Sequence, residues 1–371
     1  MRVIATANAA WNIWNFRRPV IKALLGDAHE VLVLAPPDDS VPDLEALGCR
    51  FAPLEMKVKG LNPLEDLKLI QSFKRFLRTE KPDVVLSYTI KNNVYGSLAA
   101  RATGTPFIPN VTGLGTAFLS SGLLQQIAEA LYRRAFDRLP VVFFQNADDR
   151  DLFLNRNLVR EDQARLLPGS GIDLAHFAVA PYPENDAAPI FLMIGRLLRD
   201  KGVLEYVEAA RRIKSQVPTA RFQILGAIGS ENRTAIAHEI VESWQKDGTI
   251  EYLGTTSDVR PYIAAAHCVV LPSYREGAPR TLIEAASMAR PLVTTDVPGC
   301  RTVVDHCRTG FLCDVKSNES LTAALFEFLN LPNPAKKKMG LAGRTKMETE
   351  FDEAVVIDAY QAAITEAARQ A

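Results

Sequence analysis

The 371-residue chain reads as an α/β protein made of two doubly wound parallel sheets, one in each half. Three observations carry this. Short runs of Val, Ile, Leu and Phe alternate with stretches whose apolar residues recur at helical spacing, and such unbroken runs are what strands buried on both faces require. The alternation occurs twice, on either side of a proline-rich break, Ala180-Pro181-Tyr182-Pro183-Glu184-Asn185-Asp186. At 47% hydrophobic residues, the chain also has enough apolar material for two substantial cores.

In the first half, strands are expected at Arg2 to Thr6, Glu30 to Ala35, Val84 to Ser87, Phe107 to Val111 and Val141 to Gln145. In the second half they are expected at Ile190 to Ile194, Arg221 to Leu225, Ile250 to Tyr252, Cys268 to Leu271 and Leu292 to Thr294. The resulting division is a first domain over 1–175, a hinge over 176–188, a second domain over 189–350 and a terminal helix over 351–371. Ligands of such sheets collect at the carboxyl ends of the strands, so the two domains are expected to face one another across a cleft.

Composition excludes several classes. The formal net charge is zero, which gives no global attraction to nucleic acid. Five cysteines, odd in number and without a C-x-x-C pair, argue against a disulfide framework. Cys300, Cys307 and Cys313 cluster with only His306 nearby, a poor metal set, so no metal is expected. The N-terminus is too short and polar for a secretory signal, and no run of about 18 apolar residues appears. A cytoplasmic protein, peripheral on the inner face of a membrane, is the expectation. Locally, residues 51–139 hold 12 Lys and Arg against 7 Asp and Glu, a balance that favours an anionic bilayer or a lipid-linked diphosphate. Phe118 to Leu124 is an apolar loop that could enter the bilayer interface, although Leu123, Leu124, Ile127 and Leu131 also have core spacing.

Two segments carry chemistry. Ser273-Tyr274-Arg275-Glu276-Gly277-Ala278-Pro279-Arg280-Thr281-Leu282-Ile283-Glu284-Ala285 follows an apolar strand and opens a helix. Pro279 suits a first helical turn and Gly277 allows close approach of the backbone. Amides from Gly277 through Ala278 to Arg280 can therefore face an anion. Glu276 at the loop tip and Glu284 two turns in would then accept hydrogen bonds from sugar hydroxyls. Upstream, Gly195-Arg196-Leu197-Leu198-Arg199-Asp200-Lys201-Gly202 ends another strand. Its Arg196 fork and Lys201 point charge can neutralise two phosphates. Together these residues describe a diphosphate site.

In that order, the Gly-Arg-x5-Lys-Gly and Glu-x7-Glu segments resemble the retaining nucleotide-sugar glycosyltransferases of the GT-B fold, family four, with two Rossmann-like domains. The likeness extends to Pro168 to Phe177, Asp296 to Arg301 and Thr309 to Leu312. Trp14 to Arg17, Ser87 to Gly96, Asn110 to Phe118 and Phe144 to Asp149 are similar to a bacterial branch acting on polyprenyl-diphosphate-linked sugars in surface-polysaccharide or protein-glycosylation pathways. The resemblance implies transfer of a sugar, an N-acetylhexosamine, from a UDP-sugar to an undecaprenyl-diphosphate-linked saccharide. UDP-sugar is then a substrate, and no cofactor is implied.

Arg196 and Lys201 would hold the leaving diphosphate, and Glu276 would orient the donor sugar. Glu284 would meet the ribose, with Gly195, Gly277, Ala278, Pro279 and Arg280 lining the donor site. The family's last helix crosses back to the first domain. A UDP-sugar epimerase of the same architecture and a non-catalytic scaffold remain the alternatives.

The glycine-rich loop usual after the first strand is replaced here by Thr6-Ala7-Asn8-Ala9-Ala10-Trp11-Asn12. Asn12 and Asn15 can bind acceptor hydroxyls and Arg17 an acceptor phosphate, unless they only cap and start a helix. Lys91, Thr112 and Gly113 complete the expected acceptor set, with Thr112 standing where many relatives have His. Ala289 stands where the family often has Gly, a departure expected to affect a helix end. Asp149-Arg150-Asp151 spells a D-x-D metal motif but lies where the first turn of a helix is expected, so it reads as dipole-favoured acid.

Overall fold

The computed structural model describes residues 1–57, 60, 62–114, 123–184, 187–229, 232 and 234–369. The loop expectation for 118–122 and the side chains of Leu123 and Leu124 lie outside the described residues. Ile127 departs from the core reading: it is half-exposed, while Leu131 packs on the core.

The chain forms two compact units, Met1–Gly171 with Glu353–Ala371, and Ile172–Asp352. The first unit has strands β1 (Arg2–Thr6), β2 (Glu30–Ala35), β3 (Arg50–Pro53), β4 (Val84–Ser87), β5 (Phe107–Val111), β6 (Val142–Phe144) and β7 (Ala164–Leu166). They run parallel in the order β3-β2-β1-β4-β5-β6-β7. The second unit has β8 (Ile190–Ile194), β9 (Arg221–Leu225), β10 (Glu251–Tyr252), β11 (Cys268–Leu271), β12 (Leu292–Thr295) and β13 (Gly310–Cys313), parallel in the order β10-β9-β8-β11-β12-β13. Strand order reverses between β1 and β4 in one sheet and between β8 and β11 in the other. At such a switch point the loops leaving adjacent strands diverge and open a crevice.

Helices cover both faces of the first sheet, and their apolar sides form a core on each. The terminal helix Glu353–Arg369 belongs to this unit. It buries Val356, Tyr360, Ala363, Ile364 and Ala367 in a core shared with Ile13, Val20, Ile21 and Leu24 of the helix Ala10–Gly26. At about 1.5–3 kcal/mol per large apolar side chain buried, this face holds the helix firmly.

The two units divide upstream of the proline-rich break. Arg290, fully buried, donates to the carbonyls of Ala180 (3.1 Å) and Pro181 (2.6 Å) and to those of Ile263 and Ala264. Arg344 donates to Leu174 (3.3 Å) and Phe177 (2.9 Å). These bonds fasten 174–181 to the second unit, so the chain passes between units at Gly171 and again at Glu353. Gly171, at φ +73°, is required there, because a β-carbon would sit 2.6 Å from the Glu353 Cα.

The D-x-D residues lie in the helix Ala147–Asn155, whose N-cap Asn146 accepts from the Asp149 amide at 2.8 Å. Asp149 is buried in this cap and Asp151 pairs with Arg150. Ala289 does sit at a helix end, at φ +58°, just past the helix Arg280–Ser287. A left-handed backbone there is the reason glycine suits the position.

Candidate active site

In the second unit, the two motifs leave adjacent strands at the switch point. After β8 the chain runs through Gly195 and Arg196 into a 3-10 turn at Arg199–Lys201. After β11 it runs through Ser273 to the Glu276 loop. The register Leu192 to Val269 holds these strands side by side. Gly202 makes the approach possible. At φ +74° it turns the chain so tightly that a β-carbon would fall 2.0 Å from the Pro272 carbonyl oxygen. The Ser273 hydroxyl and Tyr274 amide donate to the Asp200 carbonyl at 3.1 and 2.9 Å, tying the two loops together.

The result is an ion pair between motifs 75 residues apart. Lys201 Nζ lies 2.5 Å from Glu276 Oε1, with the carboxylate 13% exposed. A third loop supports it from below. The Glu276 amide donates to Pro298 O, and a β-carbon at Gly299 (φ +81°) would meet the carbonyls of Glu276 and Gly277 at 2.6 Å each. The likeness at Asp296 to Arg301 therefore has a structural cause, since only glycine fits beneath the Glu276 loop. Arg196 is exposed and makes no ion pair with the described residues.

Pro279 occupies the N-cap of the helix Arg280–Ser287 rather than its first turn, and offers no side-chain cap. The first amides of that helix have no intrahelical acceptors and carry partial positive charge. Arg280 Nε bonds Glu284 Oε1 at 2.7 Å. Burial pushes the Glu284 carboxyl above the ordinary carboxylate range, and the Arg280 guanidinium draws it back. Behind the loop, Tyr274 donates to Glu205 at 2.7 Å, and burial together with that carboxylate raises the phenol well above its usual range.

In the first unit, the acceptor residues expected from sequence gather at the other switch point, with one exception. Asn12 lies in the first turn of the helix Ala10–Gly26, its Oδ1 buried without a partner. This is not a capping residue, because Ala9 is the N-cap and Asp38 accepts from the Trp11 amide at 2.8 Å. Asn15 follows one turn later. Arg17 is 3% exposed, and its Nε and one Nη lack hydrogen-bond partners. Thr112 Oγ1 donates to Tyr88 O at 3.3 Å, and the space beside the Gly113 α-carbon is open.

Lys91 is the exception. It pairs with Asp66 Oδ1 at 2.9 Å, and Tyr95 donates to the other oxygen at 2.7 Å. This buried network fastens the helix Pro63–Glu80.

Three residues of this site escaped sequence reasoning. The Arg17 guanidinium lies 4.4 Å above the Tyr88 ring. Tyr360, from the terminal helix, stacks edge-on to Tyr88 and accepts from Asn110 Nδ2 at 2.8 Å. Only the presence of Tyr88 and Asn110 in strand-end segments hinted at them.

Comparison with known proteins agrees with this geometry. Residues 13–169 match the Glycosyl transferase 4-like domain and residues 177–346 match Glycosyl transferases group 1. The N,N'-diacetylbacillosaminyl-diphospho-undecaprenol alpha-1,3-N-acetylgalactosaminyltransferase of Campylobacter jejuni is 28% identical over 97% of both chains. A UDP-Gal:alpha-D-GlcNAc-diphosphoundecaprenol alpha-1,3-galactosyltransferase of Escherichia coli is 26% identical over 72% of this chain and 71% of its own. Among solved structures, Anabaena HepE in complex with UDP superposes with a TM-score of 0.79 over 98% of this chain and 100% of its own, at 15% identity, which shows the fold. The two matched domains fall one on each unit, and the chain belongs to the GT-B glycosyltransferases built from a GT4-like and a group 1 domain.

Proposed function

We propose that the protein transfers a sugar, an N-acetylhexosamine, from a UDP-sugar to a saccharide carried on undecaprenyl diphosphate. The observation that carries the donor half is the convergence of Arg196, Lys201 and Glu276 at one switch point. Lys201 has three N–H donors, and Glu276 takes one of them, leaving two for a phosphate. The pair thus fixes a cation for the leaving diphosphate and a carboxylate for donor-sugar hydroxyls before substrate arrives. Arg196 adds an unpaired fork, and the first amides of Arg280–Ser287 add a dipole end. Glu284, held by Arg280, is suited to accept from ribose hydroxyls. Arg196 and Lys201 supply the positive charge that a metal would otherwise bring, so no metal is required. Retention follows the family, with the leaving diphosphate taking the acceptor's proton.

The acceptor half rests on the likeness, over 97% of this chain in one case and 72% in the other, to enzymes of undecaprenyl-diphosphate-linked sugars and on the cation buried in the first unit. Membrane contact is part of the same reading. No helix among the described residues is long and apolar enough to cross a membrane. The helix Pro63–Glu80, however, exposes Leu64, Leu67, Lys68, Arg75 and Arg78. Its acids Glu65, Asp66 and Glu80 are neutralised by Lys57, Lys91 and Arg50. An apolar and cationic helix face without free acid suits the anionic cytoplasmic leaflet.

The test is transfer from a panel of radiolabelled UDP-sugars to prenyl-diphosphate-linked saccharides with EDTA present. Label should enter the organic phase from one donor, and Glu276→Ala should abolish it. Label confined to water, or a UDP-sugar converted to its epimer, would refute the proposal.

A further inference from the structure

We infer that the terminal helix Glu353–Arg369 is a working part of the acceptor site, in which Tyr360 and Tyr88 position Arg17 to bind the acceptor's phosphate. This rests on the acceptor reading above and adds the residues that set its geometry.

The starting observation is a buried guanidinium with few partners. Arg17 is almost wholly buried, no carboxylate among the described residues pairs with it, and two of its nitrogens lack acceptors. A buried charge ordinarily finds a counter-ion or a set of carbonyls, as Arg290 does in the other unit. Among the described residues Arg17 meets the π-face of Tyr88, which offsets a fraction of its desolvation. The neighbouring phenols cannot supply the missing charge, because burial raises both Tyr88 and Tyr360 and keeps them neutral. Such a site is completed by an anion brought in with a ligand.

Its location agrees. Arg17 lies in the second turn of the helix Ala10–Gly26, where long side chains lean toward the helix N-terminus. That direction leads to the strand ends at the switch point, where Tyr88 immediately follows β4. Other hydrogen-bonding atoms wait nearby without partners: Ser87 Oγ at the end of β4, Asn110 Oδ1 on β5, Asn93 Oδ1 beside it, and Asn12 Oδ1 on the same helix as Arg17. A cluster of polar atoms without partners around one cation, paired with no carboxylate among the described residues, fits a sugar phosphate.

The guanidinium stays in place because Tyr88 is itself held. Tyr360 stacks against it with ring centroids 6.0 Å apart, and Asn110 Nδ2 fixes the Tyr360 hydroxyl. Phe143 supports Tyr360 from β6 at 5.0 Å. A residue 343 positions downstream of Arg17 thereby sets where the cation sits.

The experiment uses the full chain and two synthetic acceptors bearing the same sugar, one a short prenyl diphosphate and the other a neutral octyl glycoside. Binding of each is measured without donor by titration calorimetry, and transfer is measured with the active UDP-sugar. Wild type should bind the diphosphate acceptor at least tenfold more tightly than the neutral one. Arg17→Met should erase that preference, Arg17→Lys should restore part of it, and Tyr360→Phe should weaken diphosphate binding about fivefold.

The loss should fall on KM for the diphosphate acceptor much more than on kcat or on KM for the donor, a split that a merely structural role would not give. Equal losses on both acceptors, or an unchanged preference in Arg17→Met, would overturn the inference. Preferential binding of the diphosphate acceptor without transfer from any UDP-sugar would instead sink the proposed function and leave this inference standing.

Discussion

Gly202→Ala tests whether the approach of the two donor loops controls catalysis. The substitution imposes two separable costs. A β-branchless side chain at φ +74° costs about 1–2 kcal/mol in backbone energy alone. The new β-carbon would also lie 2.0 Å from Pro272 O, where real contacts keep 3.0 Å or more, so the Lys201 turn must retreat by about 1 Å. The same displacement stretches the 2.5 Å Lys201–Glu276 bond beyond good hydrogen-bond length. A misplacement of that size costs on the order of 100-fold in rate. Gly248→Ala is the control, since its φ is also +74° but nothing lies within 4 Å of the added carbon. Both variants should lose stability in thermal unfolding, with Gly202→Ala losing more. Only Gly202→Ala should lose transfer activity, by about two orders of magnitude. If Gly202→Ala keeps activity within about twofold of Gly248→Ala, the loops need not meet and the reasoning fails.

Glu284→Gln should change the pH dependence of stability. A carboxyl raised in the folded state binds its proton more tightly there, so its contribution is present at low pH and lost as pH rises from about 4.3 through the folded value. Wild type should therefore lose stability relative to the variant over that rise in chemical denaturation, while the variant's donor KM increases about tenfold. Asp151→Ala should leave transfer and its EDTA resistance unchanged, because Asp151 pairs with Arg150 on the helix Ala147–Asn155; a strict metal requirement lost with Asp151 would contradict this. Leu64→Glu combined with Arg75→Glu should cut sedimentation with vesicles rich in anionic phospholipid by roughly tenfold or more at low salt, and leave transfer to a short-chain, water-soluble acceptor untouched. Equal sedimentation of variant and wild type would place the membrane contact elsewhere.

Central strands were legible because a strand buried on both faces must be largely apolar, as Cys268–Leu271 is throughout and Val84–Ser87 is up to its last residue. The edge strands Arg50–Pro53 and Ala164–Leu166 were not, since a short strand at a sheet margin need bury only part of its surface. The proline-rich break drew the expected division downstream of the observed one for a related reason. Prolines mark where helices and strands stop, but Arg290 and Arg344 decide which unit the segment adheres to, and both lie more than 100 residues away.

The donor motifs declared their chemistry through local order: glycine to end a strand, cations in the turn, carboxylates at helical spacing after a loop. Residue type and spacing along the chain suffice for that. What only the tertiary structure decided is which charges meet. Lys91 was taken by Asp66, Lys201 found Glu276, and Arg17 was left buried with Tyr88 and Tyr360 and no carboxylate. Burial and pairing depend on residues brought together from separate parts of the chain, and no local pattern encodes them; the arginine that in sequence reads either as an acceptor-phosphate ligand or as part of a plain helix start becomes, once buried beside two neutral phenols, a site that calls for an anion.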